Sequence, residues 1–145
     1  MQVSQAGIDL IKSFEQLRLL AYQDGGGVWT IGWGHTGVDA APGVSITPVR
    51  AEQLLASDIA MAEVAVKRAL GPTVELAQAE YDALVSFTFN LGQGALMQSE
   101  LLRRIRVHDT PRIAFEWMRW VHDDGNFVKG LARRRASELA MYLSA

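Results

Sequence analysis

The chain has 145 residues, 49% hydrophobic and 21% charged, which suits one globular domain with a core large enough to fold without staples. It contains no cysteine, which excludes disulfides and thiolate metal sites, and no apolar run near the length of a membrane span. The net charge of −2 is unevenly spread: residues 1–100 hold 5 Lys and Arg against 11 Asp and Glu, and residues 101–145 hold 9 against 5.

Ser4 is placed to cap a first helix, with Ile8, Ile11 and Phe14 at helical spacing and Leu10 broadening the stripe. Glu15 then falls in the last turn. The helix's negative end opposes a second negative charge there, a setting suited to a proton donor. Asp24-Gly25-Gly26-Gly27 reads as a turn, since glycine accepts positive φ at little cost. Val28, Trp29, Thr30, Ile31 and Trp33 have strand-type side chains, while Gly32 and Gly34 mark a bend or a close backbone approach. The region from about 21 to 47 is expected to form a small antiparallel hairpin or three-stranded sheet.

The remainder reads as helical. Thr47-Pro48 puts a capping hydroxyl ahead of a proline at the first helical position. From there Leu54, Leu55, Ile59, Ala62, Val66 and Leu70 form an apolar stripe running to Gly71-Pro72. A helix over 77–91 carries Tyr81, Leu84, Val85 and Thr88 along one side and ends at Gly92. Ser99 is placed to cap the next, with Leu101, Leu102 and Ile105 inward. Thr110-Pro111 repeats the cap-and-proline signal before a helix through Trp117 and Trp120, which share one core-facing side. The last helix is expected from about Leu131 to Leu143. Together these elements predict a single α+β, mostly helical domain. A lobe with a small sheet covers about 1–46, a connecting helix about 47–70 and a helical lobe about 71–145, with a cleft between the lobes.

The chemistry concentrates in Glu15, Asp24 and Thr30. Two carboxylates held apart, with a small hydroxyl beside the second, can protonate a leaving group and aim a water. Inverting cleavage of a glycosidic bond needs that arrangement. Asp24-Gly25-Gly26-Gly27 lacks the Gly-Lys-Ser/Thr ending of a phosphate loop. His35, His108 and His122 have no ligand spacing, so no metal or other cofactor is expected. His35 instead reads as a structural partner of an acidic residue in the long helix. Arg133, Arg134 and Arg135 point in different directions from one helix, which fits ion pairs better than a nucleic-acid track.

Glu15-x8-Asp24-x5-Thr30, followed by Ile31-Gly32-Trp33-Gly34-His35-Thr36, resembles the active-site segment of the phage-type lysozymes, the endolysin muramidases of glycoside hydrolase family 24. Phe87-Thr88-Phe89-Asn90-Leu91-Gly92, Ser99-Glu100-Leu101-Leu102-Arg103-Arg104, Trp120, Gly130-Leu131 and Arg134-Arg135-x-x-Glu138 resemble later family patterns in the same order. Gln16 departs from the glycine that the family usually carries there. The resemblance implies a lysozyme-like fold and hydrolysis of the β-1,4 bond between N-acetylmuramic acid and N-acetylglucosamine. Glu15 would be the acid, Asp24 the carboxylate that supports the transition state and activates water, and Thr30 the group that holds that water. Phe89 and Asn90, and with them Tyr22, are expected as sugar contacts.

Bacterial peptidoglycan is thus the expected partner, and the basic final third suits an anionic wall. Met1 to Asp9 lack the basic start and apolar core of a secretory signal. A monomer made in the host cytoplasm, without membrane anchoring, would reach the wall through a holin-type permeabilising protein. Two rivals remain. A lytic transglycosylase would leave Asp24 and Thr30 idle, and a catalytically silent wall-binding or partner-binding module would have no need of the trio. A nucleic-acid partner is disfavoured by the acidic first hundred residues.

Overall fold

The computed structural model describes all residues, 1–145. Its elements follow in the order α1 (Gln5–Phe14), β1 (Arg18–Gln23), β2 (Trp29–Gly32), β3 (His35–Thr36), α2 (Pro48–Leu70), α3 (Gln78–Leu91), α4 (Gln93–Gln98), α5 (Glu100–Arg106), α6 (Thr110–Trp117), β4 (His122–Asp123), β5 (Asn126–Phe127) and α7 (Lys129–Tyr142). The mixed, mostly helical class matches the sequence reading. The chain divides into two compact units, Ile11–Met61 and Met1–Leu10 with Ala62–Ala145, the divisions falling within α1 and within α2.

In the Ile11–Met61 unit, β1, β2 and β3 form a three-stranded antiparallel sheet in sequence order. Tyr22 lies opposite Thr30 and Gln23 opposite Trp29. On the other side of β2, Thr30 faces Thr36 and Ile31 faces His35. The register between Arg18 and Tyr22 is irregular. There the backbone turns to a further segment: Ala21 N–H donates to Val44 O at 2.9 Å, and Ile46 N–H donates to Leu19 O at 2.8 Å. The sheet therefore begins a few residues earlier than the side-chain pattern suggests. Ile31, Ala21, Ala40 and Leu54 form its buried cluster, with Trp29, Val44 and Ile46 packed against it. Thr47 caps α2 as expected, its Oγ1 accepting from Arg50 N–H at 3.1 Å.

The other unit takes in the first ten residues because they are hydrogen-bonded to its helices. Ser4 N–H donates to Asp82 Oδ1 at 2.9 Å, and Ser4 Oγ donates to Asp82 Oδ2. Val3 N–H donates to Glu63 Oε1 at 2.6 Å. Gly7 sits where a Cβ would come within 2.9 Å of Asp82 Cβ, so the start of α1 needs a residue without a side chain. α3 is the central helix of this unit, buried continuously from Tyr81 to Thr88. Phe87 meets Trp117 and Trp120 edge to face, each with ring centroids 5.6 Å apart.

Several local expectations shift here. Asp109, not Thr110, is the residue before α6, and its carbonyl accepts from Ile113 N–H at 2.8 Å. The helix ends at Trp117. Tighter bonds, Arg119 N–H to Glu116 O and Trp120 N–H to Trp117 O, end it before Trp120. The two tryptophans thus share a ring partner without sharing a helix. α4 and the β4–β5 hairpin have no counterpart in the sequence reading. The hairpin turns at Asp124 and Gly125, both with positive φ (50° and 78°), an Asp-Gly signal of the kind that two-residue turns favour. Ser99 caps α5 as expected, accepting from Leu102 N–H at 3.0 Å.

Candidate functional site

Glu15 lies just past the last residue of α1, and its N–H still donates to Ile11 O at 3.2 Å. Its half-buried carboxyl faces the backbone of Gly34. Asp24 follows β1 directly and organises the glycine turn. Its Oδ1 accepts from both Gly26 N–H and Val28 N–H at 2.9 Å, its N–H donates to Val28 O, and its carbonyl accepts from Gly27 N–H. Gly27 takes φ +80°, which closes the turn. Both side-chain bonds fall on one oxygen, so the lone pairs of the second remain for a water. The aspartate itself is exposed.

Thr30 is the middle of the sheet's central strand and only 5% exposed. Its Oγ1 donates to Val28 O at 3.0 Å, so toward any further partner the hydroxyl acts as an acceptor. The Val28 backbone therefore joins the two groups: its N–H goes to Asp24 and its carbonyl takes the Thr30 hydroxyl. Tyr22, opposite Thr30, is half-buried and has the Arg18 guanidinium 4.5 Å from its ring centroid.

His35 is fixed by carboxylates. Its Nδ1 lies 2.8 Å from Asp58 Oδ2 and 3.0 Å from Asp58 Oδ1, and its Nε2 lies 3.4 Å from Asp39 Oδ2. Asp58 stands on α2, the long helix. Trp33, two residues earlier, donates from Nε1 to Glu52 Oε1 at 3.2 Å. Lys12 Nζ donates to both oxygens of Glu52, at 2.7 and 2.9 Å, and stands 5.1 Å from the Trp33 ring centroid. The Lys12 hydrogen bond pulls the Glu52 carboxyl below its ordinary value, with burial working the other way. The sequence reading missed the contacts among Lys12, Trp33 and Glu52, because they join positions far apart in the chain.

Phe89 and Asn90 close α3 in the other unit. Asn90 Oδ1 accepts from Arg135 Nη2 at 2.8 Å, and Arg134 Cζ lies 6.0 Å from the Phe89 ring centroid. The arginine run resolves into ion pairs. Arg134 Nε and Arg135 Nε lie 3.3 and 2.8 Å from the fully buried Glu138, while Arg133 is exposed. No three His, Asp or Glu side chains come together as a metal site would require.

A family model described as phage lysozyme matches residues 12–138. The chain is 43% identical to the endolysin of Bacillus phage PZA, over 99% of this chain and 56% of that protein. It is 38% identical to the endolysin of Salmonella phage P22, over 99% of both. Among solved structures, the muramidase domain of SpmX from Asticaccaulis excentricus matches with a TM-score of 0.89 and 38% identity, over 99% of each chain. The chain spans about half the length of the two Bacillus phage endolysins it matches.

Proposed function

The chain belongs to the phage lysozyme family, and we propose that it is an endolysin-type muramidase that cleaves the β-1,4 bond between N-acetylmuramic acid and N-acetylglucosamine in bacterial peptidoglycan. The observation that carries this reading is the grouping of Glu15, Asp24 and Thr30 within one compact unit. Asp24 and Thr30 there are bonded to the same Val28 backbone.

Glu15 gives its proton to the glycosidic oxygen as the bond to the anomeric carbon breaks. A water donates one hydrogen toward Thr30 Oγ1 and the other toward the uncommitted oxygen of Asp24. Its lone pair then attacks the anomeric carbon, and its proton passes to Asp24. The ionised aspartate meanwhile stabilises the positive charge that develops on the sugar ring. With the nucleophile a water and not a side chain, the anomeric centre inverts and no cofactor takes part. Tyr22, Phe89 and Asn90 are proposed as sugar contacts. Asn90 has its carbonyl oxygen occupied by Arg135, which leaves its amide N–H groups to donate. The reading extends to action as a monomer and to release onto the wall by a holin-type permeabilising partner.

Digestion of purified peptidoglycan with mass analysis of the products is the test. A reducing muramic end is the expected product. A 1,6-anhydro end would replace hydrolysis by transglycosylation, and intact glycan from folded protein would leave a binding module.

A further inference from the structure

We infer that Gly34 is a positioning residue for the Glu15 carboxyl, and that the side chains flanking it hold the backbone against which that carboxyl rests. The inference depends on the proposed role of Glu15 as proton donor. A Cβ at Gly34 would lie 2.7 Å from Glu15 Oε2, 3.2 Å from Cδ and 3.8 Å from Oε1. The glycine also has φ +83°, a conformation side-chain-bearing residues rarely adopt. The carboxyl therefore occupies the space a Cβ would fill, and only a residue without Cβ leaves it there.

Both neighbours of Gly34 are anchored on α2. Trp33 bonds Glu52, and His35 pairs with Asp58. Lys12, three residues before Glu15 on α1, bonds the same Glu52. The helix end that carries the acid and the segment that faces it are thus tied to one stretch of α2. Backbone held on both sides yields less readily than the end of a flexible side chain. A methyl group at position 34 is accordingly accommodated by the carboxyl moving, and the proton it delivers moves with it. The other positive-φ glycines nearby differ. A Cβ at Gly32 meets only ordinary contacts, the nearest at 3.5 Å, and one at Gly37, with φ +118°, meets nothing within 4 Å. Gly37 therefore carries the backbone strain without the carboxyl contact.

The test compares Gly34→Ala with Gly37→Ala, both shown folded by circular dichroism, in steady-state hydrolysis of a soluble wall oligosaccharide. Gly34→Ala should lower kcat by roughly 10²-fold, the scale of an ångström-level misplacement of a reacting group, with KM unchanged. The alkaline limb of its kcat–pH profile, which reports the proton on the acid in the complex, should also move. Gly37→Ala should keep wild-type kcat, KM and profile. A folded Gly34→Ala with wild-type kcat, or equal losses in the two variants, overturns the inference. If Gly34→Ala does not fold, Asp58→Ala probes the same seat by releasing His35. A lower kcat at unchanged KM supports the inference, and wild-type kcat overturns it. Glu15→Gln is measured alongside. If it is inactive while Gly34→Ala is fully active, only the positioning role falls; if it is fully active, the role of Glu15 falls and the inference with it.

Discussion

Glu138→Gln should destabilise the protein far more than a one-atom change suggests. The Glu138 side chain is fully buried and accepts from Ser86 Oγ at 2.7 Å, Trp117 Nε1 at 3.2 Å, Arg134 Nε at 3.3 Å and Arg135 Nη2 at 3.0 Å. Arg135 is also fully buried. Burial pulls its guanidinium below the ordinary value, and the Glu138 charge acts against that pull. An amide in place of the carboxylate removes the charge that offsets this desolvation and turns an NH2 group toward donors. Breaking a buried ion pair from one side costs about 3–5 kcal/mol. For a chain of this size that is a fall in Tm of about 10–15 °C. Urea unfolding followed by tryptophan fluorescence and by far-UV circular dichroism measures it. The paired change Arg135→Met with Glu138→Leu should recover much of the loss seen in Glu138→Leu alone, because the fully buried Arg135 guanidinium is then no longer left without its carboxylate. A cost below about 1 kcal/mol for Glu138→Gln, the size of one ordinary hydrogen bond, would refute the reasoning. So would a double variant no more stable than Glu138→Leu.

Gly7→Ala should destabilise by about 1–3 kcal/mol despite alanine's better helix propensity, since its Cβ would meet Val3 Cγ2 at 2.6 Å and Asp82 Cβ and Cγ at 2.9 Å; thermal melting decides, and a stabilised variant counts against the packing. Thr30→Glu should turn the site toward retention or trapping, as a carboxylate near the reacting carbon attacks it directly; intact-mass analysis after incubation with substrate should find a glycosyl adduct, and an unmodified, fully active variant would place Thr30 away from the reaction. Tyr142 is pushed up to about 12 by burial first and by the Glu80 charge second. The unfolded phenol loses its proton from about pH 10 and the folded one only near 12. Its contribution to stability is therefore complete below about pH 10 and is lost as pH rises through that window. Tyr142→Phe should flatten the alkaline fall in urea midpoint, and an identical fall in both proteins would exclude the phenol as its cause.

What the sequence determined by itself was set by neighbours along the chain. The stripe from Leu54 to Leu70 places α2, the hydroxyls of Ser4, Thr47 and Ser99 mark helix starts, and the strand-type residues around Thr30 place the sheet. These are signals of period, capping and β-branching, and each is complete within a few residues. The spacing of Glu15, Asp24 and Thr30 is of the same kind. Short elements without such signals escaped: six-residue α4 follows Gly92 with no side-chain cap, and the two-residue strands β4 and β5 are too short for alternation to register. Tertiary structure alone decided which acidic residue on α2 meets His35, which carboxylate joins Lys12 to Trp33, and that Glu138 gathers both arginines, Ser86 and Trp117. It also made Gly34 both a bend, with φ +83° in the turn from β2 to β3, and a close approach, by bringing the Glu15 carboxyl against it. These contacts pair residues up to 52 positions apart. Nothing local distinguishes Asp58 from the other acids on its helix, and only packing the helix against the sheet brings one of them within reach of the imidazole.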